Sequence, residues 1–423
     1  MKVRARTYAL ALSIATLTIG ASTPHALAQA LQSYVLENVK TFSPDKETEV
    51  LIPRIEVTGA NIGRADLERM LTSEQSSSAR ADIMLNLQAQ RIVVPQLIVT
   101  RTGKDKGRFV LRDYLVTNLD RARFERISLG GFDGAGTTED KGEAKLTSGQ
   151  ITLEGGDFSK VAAAAKAGDA TDAVGKLRVF SWSGFEVSVA DKDIPASAPG
   201  GNTLRFGLKS AKANTDYNGD IPTKALASFE GMYFVAPPTS EAGKALANFG
   251  YDRVEFGINL DGTYNAASKT FALANYSFSG VNAGTLAFSG GFADIDSTAF
   301  TANTLGRLSA LMKGKVSDVN LRYSDAGLFN KALVYFAKSQ GKDPAAVRKE
   351  WAMMIVGMLP MLMGGDPAAL KLSEALSAFV TQPKSLSISL KGKKGPINFT
   401  DLSKLADPSA LLSQVEITAV ANR

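Results

Sequence analysis

The sequence predicts an α+β protein: a long antiparallel β-sheet meander, then a C-terminal three-helix block and returning terminal strands. Three observations carry this. From Glu49 to about Ile295, apolar residues recur at every second position, the period of a strand with one buried face. From Asp325 to Val380, three segments carry apolar residues at helical spacing or without a break. After Pro383 the alternation returns, in Leu386-Ser-Ile-Ser-Leu390 and in Val415 to Val420.

The chain opens with a basic lead, Lys2, Arg4 and Arg6, then an apolar core from Tyr8 to Ile19, then Ala26-Leu27-Ala28. This order predicts a secretory signal peptide over residues 1–28, cleaved near Ala28, with Ala28-Gln29-Ala30 as a second site. The expected location is the periplasm or the outside of a bacterial cell. Cleavage leaves about 395 residues, room for two or three domains. The expected division is a β-rich body with short helices over 29–300, then 301–423 with its helical block at 324–381. The one histidine, His25, lies in the signal, and the chain has no cysteine. Ser-His-Asp triads, thiolate chemistry, disulfides and His/Cys zinc sites are therefore excluded from the mature chain. Loss of Lys2, Arg4 and Arg6 lowers the net charge from +6 to +3, too even a balance to argue for nucleic acid.

In the body, Ile83, Leu85 and Leu87 read as a strand, and Ile92 to Val99 follows with Pro95 marking an edge or a bulge. Phe109 to Val116 leads to Phe124 to Leu129, and the glycines between Gly130 and Gly136 read as a turn. The clearest meander begins at Tyr251. Val254, Phe256, Ile258 and Leu260 point one way, Asn265 to Ser268 turn, and Phe271 and Leu273 resume. Tyr276 and Phe278 then continue one residue out of phase, which predicts a bulge. Leu286, Phe288 and Phe292 form the next strand. Short helices are expected after Asn61, after Asp157 and from Ser240 to Asn248. Gly168 to Gly175 and Ala190 to Gly201 read as loops.

In the helical block, Phe329, Ala332, Leu333, Phe336 and Ala337 form one stripe that ends at Gly341. Leu372, Ala375, Leu376, Phe379 and Val380 form another, after Asp366-Pro367. Between them, Asp343 caps a helix with Pro344 at its first position. From Trp351 to Met363 this helix has no charged or hydroxyl side chain. A helix apolar all round needs cover all round, so it is expected as the buried middle member of three antiparallel helices. On that reading Met358→Asp unfolds the protein. Met353, Met354, Met358, Met361 and Met363 are half of the chain's 10 methionines, and methionine suits surfaces that take varied apolar ligands. The alternative reading makes Trp351, Met354, Met358 and Met361 an apolar ligand-binding set. At about 1.5 Å per residue the run reaches roughly 20 Å, against roughly 30 Å of hydrocarbon, so no transmembrane helix is expected in the mature chain. Asp407-Pro408 opens a last short helix.

Other motifs are explained without chemistry. Ser339-Gln-Gly-Lys342 has the Ser-x-x-Lys spacing but sits at a helix end and lacks the partner motifs. Asn214 to Asp220 resembles half a calcium loop, but Ala225 stands where a bidentate carboxylate is needed, and Asn218-Gly219 reads as a hairpin turn. Lys391, Lys393 and Lys394 read as a solvated hairpin tip. No cofactor and no metal is expected.

Tyr251-Asp-Arg-Val with its meander, and Asp-Pro-Ser-Ala-Leu-Leu before the strand Val-Glu-Ile-Thr-Ala-Val-Ala-Asn, resemble a group of uncharacterised exported proteins of proteobacteria. The resemblance covers roughly the last 170 residues and implies no activity. In architecture alone the one-faced sheet is similar to AsmA-type envelope proteins, which implies a link to lipid movement. The expected function is a non-enzymatic envelope protein that binds lipid or another apolar envelope component. The alternatives are a structural protein that binds an envelope protein partner without a small ligand, and a carboxylate- or Ser-Lys-based hydrolase.

Overall fold

The computed structural model describes residues 31–43, 46–72, 77–138, 142–168, 173–301, 303–402 and 412–423. The expected signal peptide at 1–28 and the Asp407-Pro408 helix start lie outside these residues. The first elements are β1 (Gln32–Phe42), β2 (Thr48–Ala60), α1 (Arg64–Thr72), α2 (Ser77–Met84), β3 (Gln88–Arg101), β4 (Lys106–Asp120), β5 (Arg123–Leu129) and β6 (Gly131–Thr138). Then come β7 (Gly142–Ser148), β8 (Ile151–Asp157), α3 (Ser159–Lys166), β9 (Lys176–Trp182), β10 (Phe185–Ala190), β11 (Thr203–Leu208), β12 (Ser210–Asn218) and β13 (Ile221–Val235). The meander continues through α4 (Glu241–Asn248), β14 (Arg253–Asn265), β15 (Thr270–Gly280), β16 (Gly284–Ala293), α5 (Thr298–Thr301), α6 (Thr304–Met312) and β17 (Lys315–Asp325). The last elements are α7 (Leu328–Ser339), α8 (Pro344–Leu362), α9 (Pro367–Thr381), β18 (Ser385–Gly392), β19 (Ile397–Asn398), α10 (Phe399–Leu402) and β20 (Val415–Ala421). The architecture is α+β, with a long antiparallel sheet and the helical block near the C-terminus, as the alternation and the helical stripes predict.

The chain forms two compact units, one of residues 1–139 and 149–179, the other of residues 140–148 and 180–423. In the first, β1 to β4 pair in sequence order, β4 pairs with both β5 and β6, and β8 pairs with β5. Its core gathers Leu36, Ile55, Val57, Val94, Leu97 and Val116 from the strands under Leu67 and Met70 of α1.

Two expectations fail in this unit, each through a contact that is distant in sequence. Residues 77–84 are helical, not a strand. Ile83 and Leu87 also stand four apart, and both side chains are buried together in the core. The short helix expected after Asn61 is α1, though Asn61 does not cap it: its amide donates to the Asn86 carbonyl and its side-chain oxygen accepts from the Gln88 N–H, tying the end of β2 to the start of β3. The glycines at 131–136 form strand β6 rather than a turn. A Cβ at Gly134 would meet the Phe109 ring at 2.3 Å, and one at Gly136 would meet the Lys106 carbonyl at 2.7 Å. Glycine here permits close strand approach, the other use of a residue without Cβ.

In the second unit, β7, β10 and β11 lead to the long strand β13, which pairs with β11 and β12 along one side. From β13 the sheet runs β14, β15, β16, β17, β18, β20 without a crossover, and β19 extends the pairing of β17. The expected bulge is present: the register shifts between Leu273 and Tyr276. The hairpin turn is Gly219-Asp220, one residue on from the expected Asn218-Gly219, between the paired Asn218 and Ile221 and with Gly219 at φ +61°. Asn214, Asp216 and Asn218 lie on β12 as one exposed side of a strand, an extended geometry that does not wrap an ion.

The helix ends follow the residues that predict them. The Asp343 side chain accepts from the Ala346 N–H at 3.1 Å and that of Asp366 from the Ala368 N–H at 2.7 Å, each followed by proline at the first position. Gly341 closes α7, where the Lys342 N–H bonds to the Ala337 carbonyl and the Gly341 N–H to the Lys338 carbonyl. The same two-bond pattern closes α8 through Gly364 and Gly365. Helices α5 and α6 are not foreseen by the sequence pattern.

Candidate apolar binding surface

Residues directly opposed across paired strands lie on the same face of a sheet. One such row crosses six steps from β13 to β20: Phe229, Ile258, Phe278, Leu286, Tyr323, Leu386, Ala421. The next row is Ala227, Leu260, Tyr276, Phe288, Leu321, Ile388, Ala419. Between these two, on the other face, the row reads Ser228, Asn259, Ser277, Ala287, Arg322, Ser387, Val420. One face of the sheet is thus apolar and rich in rings, and the other is mainly polar.

Cover over the apolar face is partial. At the β18–β20 side, α9 lies on it: Phe379 packs with Leu386 and Ile388, and its ring meets Tyr323 edge-on at 5.7 Å. At one end of the central strands, Tyr264, Phe271 and Phe292 are closed over by Ala299 and Phe300 of α5, Ala310 of α6, and Phe399. Across β13 to β16 between these, the face is open. Phe229, Tyr276 and Phe278 are 38 %, 40 % and 45 % exposed, high for large rings on a sheet. Cross-strand ring contacts stiffen the open part, Phe256 with Phe278 at 5.1 Å and Tyr276 with Phe288 at 6.4 Å.

The helical block is anchored to the sheet by a chain of rings. Phe329 of α7 meets Phe379 at 5.4 Å and Trp351 of α8 at 6.1 Å, and Trp351 meets Phe336 at 5.8 Å. Asp325 sets the start of α7, accepting from the N–H groups of Gly327 and Phe329, both at 2.9 Å, and from the Tyr323 hydroxyl at 2.8 Å. Burial and that bond to Asp325 push the Tyr323 phenol well above its ordinary pKa.

The expectation that α8 is the buried middle helix is overturned. The buried helix is α9, which inserts Ala369, Ser373, Ala375, Phe379 and Val380 between the sheet and α8. Within α8 only Val347 is fully buried. Met354, Met358 and Met361, which follow Trp351 on one stripe, are 49 %, 49 % and 74 % exposed. Trp351 sits at the packed end of that stripe, against α7, and the three methionines run on past it. The cover is one-sided: α7 packs at the Trp351 end and α9 on another side, and neither element covers these three methionines. Met358→Asp should therefore leave the carboxylate in water and change stability by no more than about 1 kcal/mol. A circular dichroism melt of the variant that matches the parent within a few degrees is the expected result.

Ser339 and Lys342 each bond to other groups. The Ser339 hydroxyl donates to the Phe336 carbonyl at 2.8 Å, and the Lys342 ammonium pairs with Glu350 at 2.7 Å. Among the described residues, the carboxylates that shift all shift downward. The Lys209 ammonium, with Arg253, holds Glu255 below its ordinary value, and the Arg112 guanidinium does the same for Asp133. These are ions held ionised by pairing, not carboxyls raised to serve as general acids. Among the described residues no cluster of His, Asp or Glu is placed to hold a metal, and no helix is long and apolar enough to cross a membrane. Lys393 of the hairpin tip donates to the Leu412 carbonyl at 2.7 Å.

A family model described as an uncharacterized protein matches residues 277–422. That span runs from β15 to β20. It holds the part of the apolar face covered by α9, Phe278 and β16 of the open part, and all of the helical block. No curated protein matches the chain.

Proposed function

We propose that the protein is a non-enzymatic, exported envelope protein that binds lipid acyl chains, or another apolar envelope component, on the open part of its sheet. The observation that carries this reading is the uninterrupted apolar face from β13 to β16, with Phe229, Tyr276 and Phe278 exposed on it. A contiguous apolar surface of this kind in water marks a binding site. The basic lead, apolar core and small-residue end at residues 1–28 support export. A long one-faced antiparallel sheet is also the architecture by which the chain is similar to AsmA-type proteins, an analogy of form. Native mass spectrometry of the protein isolated from cell envelopes without detergent is the test. Lipid adducts on the intact chain are the expected result, and a spectrum of bare protein sinks the reading.

A second reading has its own observation. The exposed stripe Met354, Met358 and Met361 suits an apolar partner protein. Crosslinking from position 358 in cells to a protein, together with the absence of lipid adducts, would favour it.

A further inference from the structure

A separate apolar groove lies between α8 and α9. It measures about 530 Å³, within the size range of small-molecule sites. Met353, Val356 and Gly357 line one end, and Arg348, Lys349 and Thr381 line the other. The ends are distinguished by hydrogen bonds. The Arg348 guanidinium donates to the Val380 carbonyl at 2.8 Å and to the Asn330 side-chain oxygen at 2.7 Å, which fixes it beside the end of α9. Lys349 is exposed and forms no ion pair among the described residues. The lining therefore holds two cations and no carboxylate; Glu374, one turn from Ser377 on α9, is not part of it. From Lys349 the apolar surface continues past Gly357 to Met361, roughly 18 Å at 1.5 Å per residue, the length of a fatty acyl chain.

We propose that this groove binds a long-chain carboxylate, its head group at Lys349 and its chain along Met353, Val356 and Gly357. The charge at one end selects the anion, and the apolar length selects the chain. Methionine adapts to chains of differing length and unsaturation. This site is independent of the sheet face and goes beyond the role proposed for it.

Titration of the full-length protein with dodecanoate and with dodecanol, the neutral alcohol of the same chain, tests the proposal. A Cβ at Gly357 meets nothing within 4 Å, so Gly357→Leu starts its side chain in open space at the groove wall, and leucine is the better helix former. Dodecanoate is expected to bind. Gly357→Leu should weaken both ligands about tenfold with a melting temperature no lower than the parent's. Lys349→Glu should weaken dodecanoate about tenfold and leave dodecanol unchanged. Phe278→Asp, on the sheet, should leave dodecanoate affinity unchanged. No binding to the parent, affinities unmoved by both groove variants, or loss in Phe278→Asp instead would each overturn the proposal.

Discussion

Phe379→Ala is expected to destabilise the second unit by about 3–5 kcal/mol, the range for emptying a buried phenylalanine site. The ring is 7 % exposed and is the point at which the sheet meets the helical block. It meets Tyr323 at 5.7 Å and Phe329 at 5.4 Å, and packs on Leu386 and Ile388. Its loss leaves a cavity among groups from three elements that cannot all close on it, because Tyr323 is held by Asp325 and the strands are held by their ladders. A fall in melting temperature of the order of 10 °C follows for a unit of this size. Calorimetry should assign the change to the second unit's transition. An unchanged melt would mean that α9 is not the element that secures the block. The contrast with Met358→Asp is the informative part. A charge within the uncharged run of α8 should matter less than a truncation on its neighbour, because exposure, not composition, sets the cost.

Phe278→Asp should abolish binding of acyl chains on the sheet face while the fold survives. With the ring 45 % exposed, its removal forfeits the contact with Phe256 at 5.1 Å and part of its burial, roughly 1–2 kcal/mol. A bound acyl chain, however, would press against the new carboxylate and strip its water. An unpaired charge buried in that way costs several kcal/mol, which is a loss of at least about a hundredfold in affinity. Asn259→Asp is the matched control. Asn259 lies on a neighbouring strand of the same sheet but on its polar face and exposed, so both melt and lipid content should be unchanged. Equal lipid adducts in the parent and in Phe278→Asp would remove the sheet face from consideration.

Much of the local structure was determined by the sequence itself. Period-two alternation is a property of consecutive residues, so the meander from Tyr251, its bulge before Tyr276 and the one-sidedness of the sheet are all legible in it. The same holds for helix ends, since Asp343-Pro344, Asp366-Pro367 and Gly341 act on neighbouring backbone groups. Stretches with two compatible periods were not legible. Ile83 and Leu87 fit a strand or a helix equally, and their burial in the first unit's core decided for the helix. Glycines at 131–136 suit a turn or a close strand contact, and Phe109 decided between them.

Cover was decided by tertiary structure alone. The row Phe229, Ile258, Phe278, Leu286, Tyr323, Leu386 has one chemistry along its length, yet Phe379 covers Tyr323 and leaves Phe278 open. Likewise α8 carries the long run without a charged side chain, yet α9 is the buried helix. A pattern of residues states how much each side chain gains by leaving water. Whether it leaves depends on what lies opposite, and the groups opposite come from segments far along the chain or from a ligand that the chain does not encode.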